Sequence, residues 1–298
     1  MNRPADTVDG AAGPATRDTL ADGAARSGAA RPEGRRRWAR ALGLYVPPAI
    51  VLVILLGTWQ GITVLFNVPS YILPSPVVVA EGFITNSSEL LTATYYTLRD
   101  ALAGFALSIT VGVLIAMILA QSRLLERAIS PYATMLQTIP IIALAPIINL
   151  LIGANEAGVS LIAFIIAVFP IISNTTLGLT SVDHNLLNLF QMYNASRWQL
   201  LWKLRLPNAL PYLLAGVRIS SGLAVIGAFV GEVFAGTGGD QGGLGYIILV
   251  AGNRMQMDVL FAAALLSAAL GIAVFLAVNA VNFWILHNWH ESATRREN

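Results

Sequence analysis

Apolar residues in this chain fall in long unbroken runs, not in the alternating or three-to-four spacing of a water-soluble fold. The first run covers about 42–66, and five more follow at about 101–120, 131–152, 159–179, 212–234 and 259–286. Each is close to the ~20 residues with which a helix crosses a hydrocarbon core. Backbone in lipid must satisfy its own hydrogen bonds, so the runs are predicted to be helices. Pro140, Pro146 and Pro170 fall inside them and predict kinks. Between the first two runs, Tyr71-Ile72-Leu73-Pro74-Ser75-Pro76 predicts an extended or turning stretch. A short amphipathic helix is expected after it, over 77–84.

Composition supports that picture. The 298 residues are 56% hydrophobic and 11% charged, against roughly 25% charged in soluble domains. A bilayer is the natural solvent for such a chain, and an all-α integral membrane protein the expected class. The formal charge of +2 does not point to a nucleic-acid partner. Cysteine is absent, which excludes disulfides and thiolate metal sites.

The placement of the basic residues adds direction. Residues 1–34 are rich in Ala, Gly, Arg, Asp and Pro without apolar periodicity, as in a disordered cytosolic tail. The remainder, 35–298, is expected to form the transmembrane domain. Arg35, Arg36, Arg37 and Arg40 precede the first run. A signal peptide has this order, but its apolar region is only about 7–15 residues. The longer run here, with Pro47-Pro48 inside it, predicts an uncleaved span. With the N-terminus inside, Arg123, Arg127, Arg197, Lys203, Arg205, Arg295 and Arg296 all fall on the cytosolic side. Arg218 is expected at the inner edge of the fifth span, and only Arg99 and Arg254 lie outside. Six spans with both termini cytosolic follow.

The most informative cytosolic segment is the loop 183–211. A plain connector is short and polar. This one carries two apolar-patterned helical stretches with Asn194 between them. Asn tolerates a left-handed conformation and can end the first helix. Ser196 can cap the second. Leu200, Leu201 and Leu204 are expected to share a face beside Trp198 and Trp202, and Pro207 to end the helix. Spacing alone leaves two readings open: a helix that docks onto a partner, or an interfacial helix anchored by Trp and Arg at the headgroups.

This loop resembles the cytosolic signature of binding-protein-dependent ABC importer permeases, which runs Glu-Ala-Ala, three residues, Gly, nine residues, Ile, one residue, Leu-Pro. Asn194 stands at the Gly position, Leu204 at the Ile position, and Leu206-Pro207 at the Leu-Pro. Asn188-Leu189-Phe190 replaces the Glu-Ala-Ala, so a carboxylate that the family often uses against its ATPase is missing. Leu73-Pro74-Ser75-Pro76, Leu206–Ile219 and Gly243-Leu244-Gly245-Tyr246-Ile247 are similar to segments of the sulfonate, taurine and nitrate group. Leu201-Trp202-Lys203-Leu204-Arg205-Leu206-Pro207 resembles members assigned to pyrimidine-type vitamin precursors. The resemblance covers most of the chain from about residue 45 to 286.

The resemblance implies a permease subunit in a bacterial inner membrane, paired as a homodimer, bound to cytosolic ATPases and served by an external substrate-binding protein. ATP and Mg would belong to the ATPase, with no cofactor bound by this chain. Asn194, Ala195, Ser196, Arg197, Trp198, Leu200, Leu201, Leu204, Leu206 and Pro207 become the candidate ATPase-docking residues.

The residues themselves show no phosphate-binding loop, since the sole lysine, Lys203, is not preceded by the required glycines. His287 and His290 are one turn apart, which is too few ligands for a metal site. No serine has a base and orienter, so no enzyme site is expected. Glu232, Asn149 and Asn174 are polar within spans and are candidates for the translocation path. The alternative for Glu232 is a position at the outer headgroups or a pair with Arg254. For Asn149 and Asn174 the alternative is helix–helix hydrogen bonding. The glycines Gly236, Gly238, Gly239, Gly242, Gly243 and Gly245 predict tight external turns or close approach of a partner. A self-sufficient ion-coupled carrier or channel would need intramembrane relays or internal symmetry; neither is visible.

Overall fold

A computed structural model describes residues 33–138, 140–235 and 242–294. Residues 1–32 of the proposed tail, Gly236, Gly238, Gly239, Arg295 and Arg296 lie outside these residues, whereas Glu33 and Gly34 are helical. The described residues are helical, with no strand among them. The chain divides into two compact units, Met1–Gly57 and Thr58–Asn298. Helix α1, Glu33–Leu65, begins in the first and ends in the second, with Pro47 and Pro48 inside it. In the second unit its Trp59 lies 5.9 Å from the Phe261 ring.

The stretch after α1 follows its sequence closely. Ser75 caps α2, Pro76–Thr85, by accepting from the Val78 N–H, and Pro76 takes the first turn, where its missing N–H costs nothing. Val79 and Gly82 are the buried face of α2, and Gly82 rests against Asp258.

The centre of the second unit is built from α3 (Ser87–Leu119), α6 (Glu156–Thr180) and α9 (Leu206–Ala235). Lipid supplies no hydrophobic drive between helices, so their contact depends on small residues and interhelical hydrogen bonds. Ala163 of α6 lies between two glycines. A Cβ on Gly104 of α3 would fall 2.6 Å from the Ala163 Cβ, and one on Gly227 of α9 would fall 2.6 Å from the Ala163 Cα. Ser108 donates to the Phe164 carbonyl at 3.1 Å, and Ser220 to the Ala167 carbonyl at 2.6 Å. The remaining helices are α4 (Arg123–Thr138), α5 (Ile141–Ile152), α7 (His184–Met192), α8 (Arg197–Leu200), α10 (Leu244–Asn253) and α11 (Met257–Thr294).

Among the described residues, five helices are long and apolar enough to cross a membrane: Val46–Leu65, Ser87–Leu119, Glu156–Thr180, Arg197–Ala235 and Met257–His287. The continuous span expected over 131–152 is instead divided into α4 and α5, with Pro140 capping α5 in an extended conformation. Thr138 ends the first of these and Ile141 begins the second. The chain still returns across the bundle at this point. Arg99, on the N-terminal half of α3, pairs with Glu156 at the start of α6 at 3.0 Å. Arg205 bonds the carbonyl of Ala120 just past the other end of α3. The stretch from Ala120 to Glu156 therefore runs from one level to the other through α4 and α5 together.

Candidate functional site

The loop 183–211 is built by local chemistry. Asp183 caps α7 by accepting from the Asn185 N–H at 2.7 Å. Asn194 closes the helix with φ of +49°, and Ala195 N–H reaches back to the Phe190 carbonyl at 3.0 Å. This is the left-handed turn expected at that position. Ser196 then opens the next helix with a reciprocal capping box: its hydroxyl accepts from Gln199 N–H, and the Gln199 side chain accepts from Ser196 N–H at 2.8 Å.

Beyond α8 the helix does not stop at Pro207. Leu201–Arg205 forms a π turn, and helix continues from it directly into α9. Proline inside an α-helix loses one hydrogen bond and clashes with the carbonyl four residues back. The wider π turn lies at that point, and Leu206 N–H bonds Leu201 O, five residues back. The candidate docking segment and the span are therefore one continuous helical rod, Arg197–Ala235.

The expected common face of Leu200, Leu201 and Leu204 is also divided. Leu201 is 2% exposed and packs with Ala116, Ala120, Leu179 and Ala209. It belongs to the joint between the loop and the ends of α3 and α6, and it is not available to a partner. Leu200, Leu204, Leu206 and Pro207 are half-buried, and Arg197 is exposed. Trp198 and Trp202 are 68% and 57% exposed. Leu186, Leu189, Met192 and Tyr193 on the preceding α7 turn are exposed as well. No local sequence signal marks Arg205 as a partner of Ala120, because 85 residues separate them.

At the other end of the bundle, Glu232 is 3% exposed and joins three helices. Its Oε2 accepts from the Thr97 hydroxyl of α3 at 3.0 Å and from Gly245 N–H of α10 at 2.8 Å. Leu244 N–H in turn donates to Thr97 Oγ1 at 2.9 Å. The carboxylate thus lies at the N-terminus of α10, where free amides and the helix dipole favour negative charge. A Cβ on Gly243 would fall 2.0 Å from Glu232 Oε1, so only glycine lets the chain approach. Arg254 is exposed and makes no ion pair among the described residues. Asn174 bonds the Pro170 carbonyl of its own helix at 2.8 Å rather than a neighbouring helix. Asn149 is half-buried, with neither amide atom hydrogen-bonded among the described residues.

Comparison with known proteins identifies the family. Residues 108–287 match the family model described as the binding-protein-dependent transport system inner membrane component. The riboflavin transport system permease protein RibX of Chloroflexus aurantiacus is 35% identical over 85% of this chain and 91% of that protein. The putative aliphatic sulfonates transport permease protein SsuC of Bacillus subtilis is 31% identical over 80% of this chain and 84% of that protein. The solved structure of an inward-facing MetNI methionine ABC transporter superposes with a TM-score of 0.52 at 20% identity. That alignment covers 66% of this chain and 98% of the other, and it supports the fold.

Proposed function

We propose a specific assembly and task for this chain from the premise that it belongs to the family of binding-protein-dependent transport system inner membrane components. It is the membrane-spanning permease subunit of an ATP-driven importer in the inner membrane, and it works with an ATPase. Within that frame, two copies pair, each receives one ATPase on the cytosolic side, and an external binding protein delivers the solute. The N- and C-termini are cytosolic. The cargo is a small polar organic solute, of the sulfonate and nitrate kind or of the pyrimidine vitamin-precursor kind; the aliphatic-sulfonate and riboflavin permeases among its relatives support that range.

One observation supports the docking role most strongly. Trp198 and Trp202 are exposed on the first turns of a rod that continues as a membrane span, and the base of those turns is fixed to α3 by Arg205 and Leu201. Large aromatic anchors dominate protein interfaces. A partner that grips them moves the span without an intervening hinge. Closure of the ATPases on ATP then shifts the rods of both copies and changes which side of the pathway is open.

The chain has no cysteine, so Trp198→Cys provides a single thiol without other changes. In assembled importer this thiol is expected to cross-link to a cysteine on the ATPase surface. Full reactivity with a bulky water-soluble thiol reagent in the assembled complex, and no cross-link at any ATPase position, would return the segment to the interfacial-anchor reading.

A further inference from the structure

Arg218 has a cation at a depth where charge is costly, and among the described residues no carboxylate pairs with it. On α9 it lies 13 residues beyond Arg205 and 17 before Ala235, about 20 and 25 Å of helix. Its neighbours fix the level independently. Gly216 lies against the Pro170 carbonyl, and Ser220 bonds the Ala167 carbonyl, both near the middle of α6. The helix extends further toward the cytosolic end than hydropathy implies, so Arg218 belongs at mid-span and not at the inner edge of the fifth span.

The side chain is exposed. Its guanidinium lies 5.0 Å from the centroid of the Phe275 ring of α11, and among the described residues it makes no ion pair. The same flank of α9 exposes Tyr212, Ala215, Ile219 and Ile226, all uncharged. Gly222, one turn further on, has no atom within 4 Å of where a Cβ would stand. Room therefore exists beside the guanidinium.

The acidic residues on the described helices are placed away from this level. None occurs between Asp100 and Glu126, between Glu156 and Asp183, between Asp183 and Glu232, or between Asp258 and Glu291. Glu232 is buried against Thr97 and Gly245. Charged residues inside a span face a bundle interior or a watered cavity and mark solute pathways. A guanidinium presents a planar fork of donors that suits oxyanions.

We propose that Arg218 is an anion-recognition residue of the translocation pathway, taking the negatively charged group of an oxyanionic solute at mid-membrane. The proposal rests on the permease reading and narrows its cargo to solutes that carry a sulfonate, carboxylate, phosphate or similar anion. The stacking on Phe275 holds the guanidinium at the pathway wall between passages.

The test uses the whole importer in vesicles and needs no knowledge of the solute. Gly222→Cys places a thiol one helical turn from Arg218. Its reaction rates are measured with methanethiosulfonate reagents of similar size, one bearing a sulfonate and one a trimethylammonium group, with and without trapped nucleotide. The anionic reagent is expected to be favoured, and Arg218→Gln to lower the anionic-to-cationic ratio by about tenfold. Any change in thiolate fraction cancels in that ratio. Arg218→Lys should hold the ratio close to its original value, which separates charge from folding. A ratio unmoved by Arg218→Gln overturns the proposal, as does a thiol that neither reagent reaches in either nucleotide state. Co-purification of the ATPase with each variant separates this failure from failure of the permease reading.

Discussion

The guanidinium of Arg205 donates from Nη1 to the carbonyl of Ala120 at 2.5 Å, joining the π turn of the docking segment to the C-terminal end of α3. The last carbonyls of a helix have no partner within it, and a cation there also meets the negative end of the helix dipole. Leu201 fills the space beside this bond, against Ala116, Ala120, Leu179 and Ala209. The exposed tryptophans are therefore coupled to two spans at once: to α9 by continuity and to α3 by this contact.

Replacing Arg205 with Met keeps much of the apolar stem but removes the donor. Arg205→Met is expected to leave the importer assembled while lowering solute uptake per ATP hydrolysed by roughly fivefold or more, the weight of losing a charge-assisted hydrogen bond. Parallel measurement of hydrolysis and uptake in vesicles checks this, and an unchanged ratio would remove Arg205 from the force path.

At Asn194 the backbone is left-handed, with φ of +49°. A β-branched residue there is a steric outlier that costs on the order of 1–3 kcal/mol. Asn194→Val should weaken co-purification of the ATPase by an order of magnitude, whereas Asn194→Gly should preserve it. Equal behaviour of the two variants would show that the turn does not aim the rod.

These local features were legible because their chemistry is local. A residue that tolerates positive φ, a hydroxyl followed three residues later by Gln, and a Ser-Pro pair before an apolar run each specify a turn or cap in sequence. The π turn was not legible. It rotates the face that Leu201 presents, so a wheel drawn at 3.6 residues per turn grouped Leu201 with Leu200 and Leu204, although only Leu201 is buried. It also carries the helix past Pro207. Hydropathy placed the start of the fifth span near Tyr212 because Lys203 and Arg205 interrupt the apolar run, whereas the helix begins at Arg197. The junction at Glu232 depends on Thr97, 135 residues away, which no single-sequence pattern reports.

That junction gives a stability prediction. Thr97→Val keeps the shape of the side chain but leaves Leu244 N–H without its acceptor and Glu232 without its hydroxyl donor. A buried donor left unsatisfied costs about 1–3 kcal/mol. Thr97→Val and Glu232→Leu should both lower the thermal midpoint of the purified complex, and Glu232→Gln, which retains an acceptor for Gly245 N–H, should lower it least. A Glu232→Leu variant as stable as the parent would mean that the carboxylate does not hold α10 in place.

In the proposed assembly, Trp198 and Trp202 form the grip through which an ATPase moves the spans. The most direct measurement is ATP-driven uptake by reconstituted vesicles carrying Trp198→Ala together with Trp202→Ala, alongside the amount of ATPase that co-purifies. Each lost aromatic anchor is worth on the order of 2 kcal/mol at an interface. The double variant is therefore expected to insert normally, to retain little ATPase and to lose nearly all uptake. Parental ATPase association and parental uptake in that variant would show that the two tryptophans do not grip the ATPase.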